Sequence, residues 1–358
     1  MRVANYFLPF FSLSFGSAAA DNDAAAALSH KPSSVRTLHQ WPLGTWAENI
    51  AVRPNGNLLV TFISPSAALH ELNPASPPDT SDPAATLLHA FANATQATGI
   101  AELGDAPDVF AVVADSTVYR VDLRPAADRA GNNNNNKNNN AANNGTAAAV
   151  TPIATIAGAG LLNGMASLPG TSILLIADSE LGAIWRLDAQ TGAPASILLR
   201  DPTMAPSDAD PNLPFLGING IRYGADGHVY FNNSPLRLFC RVPVHPGTGD
   251  VAGAVQVVAR GVLADDFAVR WEAAEGEVVA YLAGLNDNVV TRVTLDGTKE
   301  VVAGNLNSSA VAGATAGAWG RTPKTGTTLF VTTGGGTGLP VNGTYVEGGK
   351  VVALRFKQ

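Results

Sequence analysis

The sequence predicts an all-β fold, a six-bladed β-propeller over residues 35–358 closed by an N-terminal strand that completes the last blade. Three observations predict it. A four-residue phrase that opens on a polar side chain recurs six times, roughly every 50 residues, which is the period of a four-stranded blade. Short apolar runs and Asn-Gly or Asp-Gly turns follow the clearest copies. The 36 Gly and 23 Pro residues suit many tight turns. The copies begin at Glu48, Thr98, Asn163, Asn219, Asp265 and Thr315.

The first and fourth repeats show four strands each. In the first repeat we predict strands at 49–52, 58–62, 68–72 and 86–91. In the fourth repeat we predict them at 220–223, 228–232, 238–242 and 254–260. Outer strands of the second, third and fifth repeats are predicted at 152–156, 196–199 and 299–303.

The last repeat has only three predicted strands, at 316–320, 328–332 and 350–356. Residues 35–41 have the pattern of the missing fourth strand, supplied from the other end of the chain. Such closure removes the exposed sheet edges that invite aggregation.

The termini and insertions have compositions of their own. Residues 1–20 resemble a secretory signal peptide, with Arg2 at the positive end, a short apolar run at 6–15 and small residues at 18–20. We therefore expect a secreted protein, followed after cleavage by a disordered leader at 21–34. The Asn-rich insertion at 132–144 carries too few apolar side chains to fold and is expected to be a disordered loop of the second blade.

Secretion also fits the five predicted N-glycosylation sequons, although such triplets arise by chance. They begin at Asn93, Asn144, Asn232, Asn307 and Asn342. The single cysteine, Cys240, lies in an apolar run and is predicted to be a buried strand residue rather than a nucleophile.

The net charge of −7 and the lack of a basic patch argue against a nucleic-acid partner. Beyond the signal, no apolar run is long enough for a membrane anchor.

Because the inner strands of a propeller converge on its axis, the six lead residues should form a ring around one pocket. Thr98, Asn163, Asn219 and Thr315 are candidate substrate-binding residues. The carboxylates of Glu48 and Asp265 and the two carboxamides are oxygen ligands that suit a hard divalent cation. A purely structural ring of mutual hydrogen bonds is the alternative.

The order and spacing of these motifs resemble the gluconolactonase, regucalcin and luciferin-regenerating enzyme family, with Asn-Gly-apolar in repeats three and four and Asp in repeat five. The resemblance implies a six-bladed propeller that binds one divalent cation (Ca²⁺, Mg²⁺ or Zn²⁺) through Glu48, Asn163, Asn219 and Asp265. This sequence departs from the family pattern in two places. Asn49-Ile50 replaces Gly-Pro, and Asp266 replaces Gly; we assign Asp265 to the centre.

Two enzymatic functions and one binding function fit the ring. In a metal-dependent lactonase, Asp265 would act as a base. The chain is also similar to a secreted fungal branch that includes hetero-Diels-Alderases, which join a tropolone quinone methide to a sesquiterpene alkene by holding both in a reactive pose. We lead with this second function and take Asp265 and Glu48 as candidate catalytic residues. A non-catalytic binding propeller is the third possibility.

The loops before the lead residues are largely apolar, at 158–162, 211–216 and 261–264. Phe215, Leu216, Leu161 and Leu162 are expected near the pocket mouth, with Phe215 contacting a hydrophobic small-molecule substrate. The alternative is that these loops only pack on one another.

Overall fold

The computed structural model describes residues 30–75, 85–129, 148–213 and 215–357. Within these ranges, 24 strands form six four-stranded antiparallel sheets, which confirms the predicted six-bladed β-propeller. The helical residues in this part of the chain are a short helix α1 (Ala126–Arg129) and a 3₁₀ turn (Pro202–Met204). No helix in the described ranges is long and apolar enough to cross a membrane. The predicted signal peptide and the Asn-rich insertion lie outside the described residues, as does the predicted leader up to residue 29.

The strands of the first three blades run from the axis outward in chain order. Blade one contains β2 (Trp46–Val52), β3 (Leu58–Ser64), β4 (Ala68–Leu72) and β5 (Ala85–Ala90). Blade two contains β6 (Ala97–Glu102), β7 (Val109–Ala114), β8 (Thr117–Asp122) and β9 (Ala149–Thr155). Blade three contains β10 (Leu162–Ser167), β11 (Ile173–Asp178), β12 (Ala183–Asp188) and β13 (Ser196–Arg200).

The next two blades follow the same order. Blade four contains β14 (Ile218–Tyr223), β15 (His228–Asn233), β16 (Leu238–Pro243) and β17 (Gln256–Arg260). Blade five contains β18 (Phe267–Glu272), β19 (Glu277–Gly284), β20 (Val289–Val293) and β21 (Lys299–Gly304).

Blade six draws its strands from both ends of the described chain. It contains β22 (Ala314–Trp319), β23 (Thr328–Thr333), β24 (Lys350–Arg355) and β1 (Ser34–Gln40). Strand β1 pairs antiparallel with β24, from Ser34 opposite Arg355 to Gln40 opposite Lys350. The first residue of β1 lies within the predicted leader, so the propeller begins slightly before residue 35.

The core is divided among the six interfaces between neighbouring blades, each of which holds its own cluster of buried apolar side chains. Strand β11 shows how the sequence builds two interfaces at once. Its residues Leu174 and Ile176 pack toward blade two, and the alternate residues Leu175 and Ala177 pack toward blade four. Because successive side chains point to opposite sheet faces and both faces are buried, the second strand of a blade is a continuous apolar run.

Candidate functional site

The lead residues are turned toward the axis by β-bulges in the inner strands. In blade one the pairing passes from Ala47 to Ile50, and in blade three from Leu162 to Met165, with one extra residue on the inner strand. The same irregularity occurs in blades two and four. A bulge re-aims side chains that an uninterrupted ladder would send into the sheet faces. It therefore frees both the lead residue and its successor from the ladder.

Two serines orient the ring asparagines. Asn163 Nδ2 donates to Ser179 Oγ at 3.2 Å, and Asn219 Nδ2 donates to Ser234 Oγ at 3.0 Å. Each serine in turn donates to a backbone carbonyl of the following blade at 2.7 Å. Asn219 Nδ2 also donates to Asp265 Oδ1 at 2.8 Å. Because the amide nitrogens are held in this way, the amide oxygens are left to face other groups.

Each ring carboxylate accepts a side-chain hydrogen bond through one of its two oxygens. Trp46 Nε1 donates to Glu48 Oε2 at 2.7 Å, and Asp265 Oδ1 accepts from Asn219. Both carboxylates are at least nine-tenths buried, as are Asn163 and Asn219. Within the described ranges, no hydrogen bond reaches the other oxygen of either carboxylate or the amide oxygen of either asparagine. The four residues therefore offer four unpartnered oxygen acceptors to a ligand.

Burial dominates the titration of the ring. Loss of water raises the pKa of Glu48 to about 7; the Trp46 N–H opposes this rise and the negative charge of Asp266 adds to it. The pKa of Asp265 is raised well above its usual range by burial first and then by the charge of Glu48, while the Asn219 hydrogen bond opposes the rise. Both carboxyl groups therefore hold a proton more readily at neutral pH than solvent-exposed ones would.

The same four acceptors fit a hard divalent cation by chemistry, because they are carboxylate and amide oxygens. Glu48 and Asp265 would also supply two negative charges to balance it. In the described residues, no group of three or more His, Cys, Asp and Glu side chains could hold a metal, so such a site would need the two asparagines.

The two ring threonines, which we predicted to bind substrate, differ from this set in their hydrogen bonds. Thr98 Oγ1 donates to Leu162 O of the next blade at 3.0 Å, and Thr315 Oγ1 donates to Ala47 O at 2.8 Å. Both residues are almost completely buried. Their hydroxyl protons join neighbouring inner strands, which is a structural role.

An apolar cluster from four segments lies near the ring. Leu213, Leu263 and Leu285 are buried together, with Trp46 and Leu216 packed against them. We call this set the apolar cap. The indole that donates to Glu48 therefore belongs to the ring and to the cap.

A glycine-rich loop after β23 fixes the Trp46 indole. A Cβ added to Gly334 would lie 2.8 Å from Trp46 Cδ2, and one added to Gly338 would lie 3.2 Å from Trp46 Cη2. Only glycine allows this backbone to lie so close to the ring. This loop thus positions the side chain that donates to Glu48.

The residues predicted for the pocket mouth separate in the structure. Leu216 joins the cap, but Phe215 is 70% exposed and lies outside the cap, where Leu213 packs instead. Leu162 is buried between blades two and three. A single-residue shift in an irregular loop exchanges buried and exposed side chains, and apolar composition alone does not fix it.

Three further residues of the centre were not predicted from the sequence to be site residues. Asn49 and Asp266 follow lead residues, and Asn49 Nδ2 donates to Asp266 Oδ2 at 2.8 Å. Arg222 forms an ion pair with Asp266 at 2.8 Å. The two departures from the family pattern therefore contact each other. The sequence does contain one sign of this cluster. Arg222 occupies the fourth position of the repeated phrase, where the other five copies have alanine.

The sequons divide by exposure. Asn93, Asn307 and Asn342 are exposed, and Asn144 lies outside the described residues. Asn232 is fully buried, and its Nδ2 donates to Ala264 O at 2.7 Å, so the prediction of a glycan there is wrong.

Cys240 is fully buried in β16, as predicted. Burial raises the pKa of its thiol to about 12, which makes it a poor nucleophile.

Comparison with known proteins adds two kinds of likeness. No protein-family model matches the chain. It is 29% identical over 342 residues to a "Putative hetero-Diels-Alderase" of Sarocladium schorii, covering 87% of this chain and 80% of the relative. It is 29% identical over 322 residues to a "Putative hetero-Diels-Alderase" of a Phoma species, covering 84% and 87%.

The solved structures share the fold. Regucalcin, a calcium-binding protein of Agrobacterium tumefaciens, aligns with a TM-score of 0.59 and 18% identity, covering 91% of this chain and 97% of that one. A luciferin-regenerating enzyme aligns with a TM-score of 0.60 and 11% identity, covering 91% and 99%. The chain thus resembles proteins named as hetero-Diels-Alderases in sequence and the regucalcin and luciferin-regenerating enzyme propellers in fold, as its repeats predicted.

Proposed function

We propose that the chain is a secreted enzyme of secondary metabolism that joins a tropolone quinone methide to a sesquiterpene alkene by a hetero-Diels-Alder reaction. The observation that carries this proposal is Glu48, a buried carboxyl group whose pKa of about 7 lets it hold a proton at neutral pH. Its partner Trp46 belongs to the apolar cap, so the proton donor adjoins an apolar surface. The two relatives named as hetero-Diels-Alderases support the reaction class.

The first step would generate the quinone methide from a hydroxymethyl tropolone. Glu48 donates its proton to the leaving hydroxyl, the C–O bond breaks with its electron pair on oxygen, and water departs. The ring hydroxyl then loses its proton, which returns to the Glu48 carboxylate. The net change is loss of one water, and the enzyme ends in its starting state. General acid catalysis of this kind contributes about 10²–10⁴-fold.

The second step would need no proton transfer. The heterodiene of the quinone methide and the alkene form one C–C and one C–O bond, and no atoms leave. Orientation of the two partners supplies the acceleration. The amide groups of Asn163 and Asn219 are positioned by serines and suit the polar end of the heterodiene, while the apolar cap suits the alkene.

The test uses chelator-treated protein, a hydroxymethyl tropolone and a sesquiterpene alkene, with products separated by chiral chromatography. Wild type is expected to accelerate adduct formation and to give one stereoisomer. Glu48→Gln should slow adduct formation at least about a hundredfold. Thr98→Val, which removes a ring hydroxyl without removing an acid, serves as the control. A racemic adduct formed at the uncatalysed rate with wild type would refute the proposal.

The second candidate is a metal-dependent lactonase, favoured by the four unpartnered acceptors on Glu48, Asn163, Asn219 and Asp265. These residues would hold one divalent cation, which supplies Lewis-acid polarisation of an ester carbonyl when bound. Hydrolysis of a lactone that is lost with chelator and with Asp265→Asn would favour this function over the first. Lactone turnover that persists in chelator would exclude it.

A further inference from the structure

The fourth position of the repeated phrase is alanine in every copy except one. The alanines are Ala51, Ala101, Ala166, Ala268 and Ala318. The fourth blade carries Arg222 instead, a long cation where the other five copies have a methyl group. The inner strands of neighbouring blades approach closely two residues earlier, at the second position, since a Cβ added to Gly164 would lie 2.7 Å from Asn219 O.

The guanidinium of Arg222 crosses the propeller axis. Its Nη2 lies 2.8 Å from Asp266 Oδ2 and donates to Asn49 Oδ1 at 3.2 Å, while Nη1 donates to Ile221 O at 2.8 Å. Each inner strand contacts those of its two neighbouring blades, which orders the blades in a ring. Blades one and four are opposite each other in that ring. A hydrogen bond between Arg222 and Asn49 therefore spans the centre.

Both side-chain partners of Arg222 are also held by hydrogen bonds to neighbouring backbone groups. Asn49 Oδ1 accepts from Ile50 N at 2.9 Å, and Asp266 Oδ1 accepts from Phe267 N at 2.6 Å, so each side chain is folded against its own backbone. Gly220 makes the room, because a Cβ there would overlap Asp266 Oδ1. Asp266 is 3% exposed. Arg222, Asp266 and Asn49 thus form a built cluster, which we call the axial plug.

The charge of the plug lies beside the ring. Asp266 directly follows Asp265 in the chain and accepts a hydrogen bond from Asn49, which directly follows Glu48. The negative charge of Asp266 therefore lies next to both ring carboxylates. With Arg222 present, that charge is paired inside the protein at 2.8 Å.

We infer that Arg222 is a specificity-determining residue of the central site, which cancels the charge of Asp266 and so weakens divalent-cation binding in favour of an uncharged organic ligand. The inference rests on the proposed function in one respect, that the ring is a ligand site. The affinity of a site for Ca²⁺ rises with its negative charge. Removing the guanidinium should leave the negative charge of Asp266 unpaired beside the two-carboxylate centre and so strengthen its attraction for a dication.

The test is a calorimetric Ca²⁺ titration of the chelator-treated and desalted protein at about pH 8, where carboxylates compete well with protons. Arg222→Ala gives blade four the residue that the other blades carry, so it suits the fold. We expect its dissociation constant for Ca²⁺ to fall at least tenfold below that of wild type. Arg222→Lys, which keeps the charge, should stay within about threefold of wild type. The double variant Arg222→Ala, Asp266→Asn should return to the wild-type value.

Equal Ca²⁺ affinity in wild type and Arg222→Ala would overturn the inference. So would an equal gain in the single and double variants, because the gain would then come from opening the channel and not from Asp266. If Arg222→Ala does not fold, Asp266→Asn alone decides the matter. It leaves the guanidinium unpaired beside the ring and should weaken Ca²⁺ binding at least tenfold; unchanged binding would overturn the inference. Adduct formation does not enter these titrations, so the proposed function can fail while this inference stands.

Discussion

Replacing Glu48 with glutamine should make the folded protein less sensitive to rising pH. Glu48 is 5% exposed, and its neighbours include the carboxylates of Asp265 and Asp266, so its anion is poorly stabilised. Glutamine keeps the shape and an oxygen for the Trp46 N–H, but it cannot ionise. The substitution therefore isolates the free energy of forming the buried anion.

The magnitude follows from the two pKa values. Burial raises the pKa of Glu48 from 4.5 in the unfolded chain to about 7 in the fold. Between these values the folded state binds the extra proton, so this contribution to stability is fully present below about pH 4.5 and is lost as the pH rises through about 7. At about 1.36 kcal/mol for each pKa unit, the loss is about 3 kcal/mol. The glutamine variant lacks this loss.

The assay is urea unfolding at about pH 5 and about pH 8 with chelator present. The free energy of unfolding of Glu48→Gln minus that of wild type should increase by about 2–3 kcal/mol between the two conditions, because a small part of the loss has already occurred at about pH 5. Any fixed cost of the substitution cancels in this difference. Thr98→Val, which changes no charge, should show the same difference from wild type at both pH values. A change below about 1 kcal/mol for Glu48→Gln, or one of opposite sign, would show that the buried carboxyl ionises without penalty.

Three other predictions follow from single contacts. Gly164→Ala places a methyl group 2.7 Å from Asn219 O, so urea unfolding should show a loss of about 1–3 kcal/mol; an unchanged midpoint would contradict the close approach. Trp46→Phe removes the N–H that stabilises the Glu48 anion, so the pKa of Glu48 should rise and the pH profile of adduct formation should move to higher pH; a profile moved to lower pH would contradict this. Mass mapping of the protein expressed through a eukaryotic secretory pathway should find Asn232 without a glycan, and an occupied site there would contradict its burial.

Most of the fold follows from the sequence because local patterns specify each strand. The third strand of blade one was predicted with the bounds that the structure has, 68–72. The inner strand of the same blade was predicted to begin at 49, whereas it begins at Trp46. The difference arises at the bulge, where the polar Glu48 interrupts the apolar pattern although the strand continues through it. Irregular pairing of this kind is set by the approach of neighbouring blades and not by local propensity.

The site follows from the sequence only in part, because closure of the ring brings together residues that no local pattern relates. The lead residues could be aligned by spacing, and the contact between Asn219 and Asp265 agrees with that alignment. The contact of Asn49 with Asp266 joins blades one and five, more than 200 positions apart, and no pattern within either repeat indicates it. A useful sign was the break in the repeat at Arg222. A residue that departs from an otherwise uniform position has lost the constraint that its equivalents share, and its partners must lie elsewhere in the ring.

The balance of protons and cations at the centre links the two candidate functions. Glu48 and Asp265 are buried together, so they must share a proton, bind a cation or pay the cost of two adjacent anions. A bound dication would remove the proton that the dehydration step needs, so the two chemistries exclude each other at one time in one ring. Asp266 would shift the balance toward the cation if it were unpaired, and it is paired with Arg222. We therefore infer that Arg222, which contributes no group to the ring itself, favours the proposed acid catalysis over metal binding.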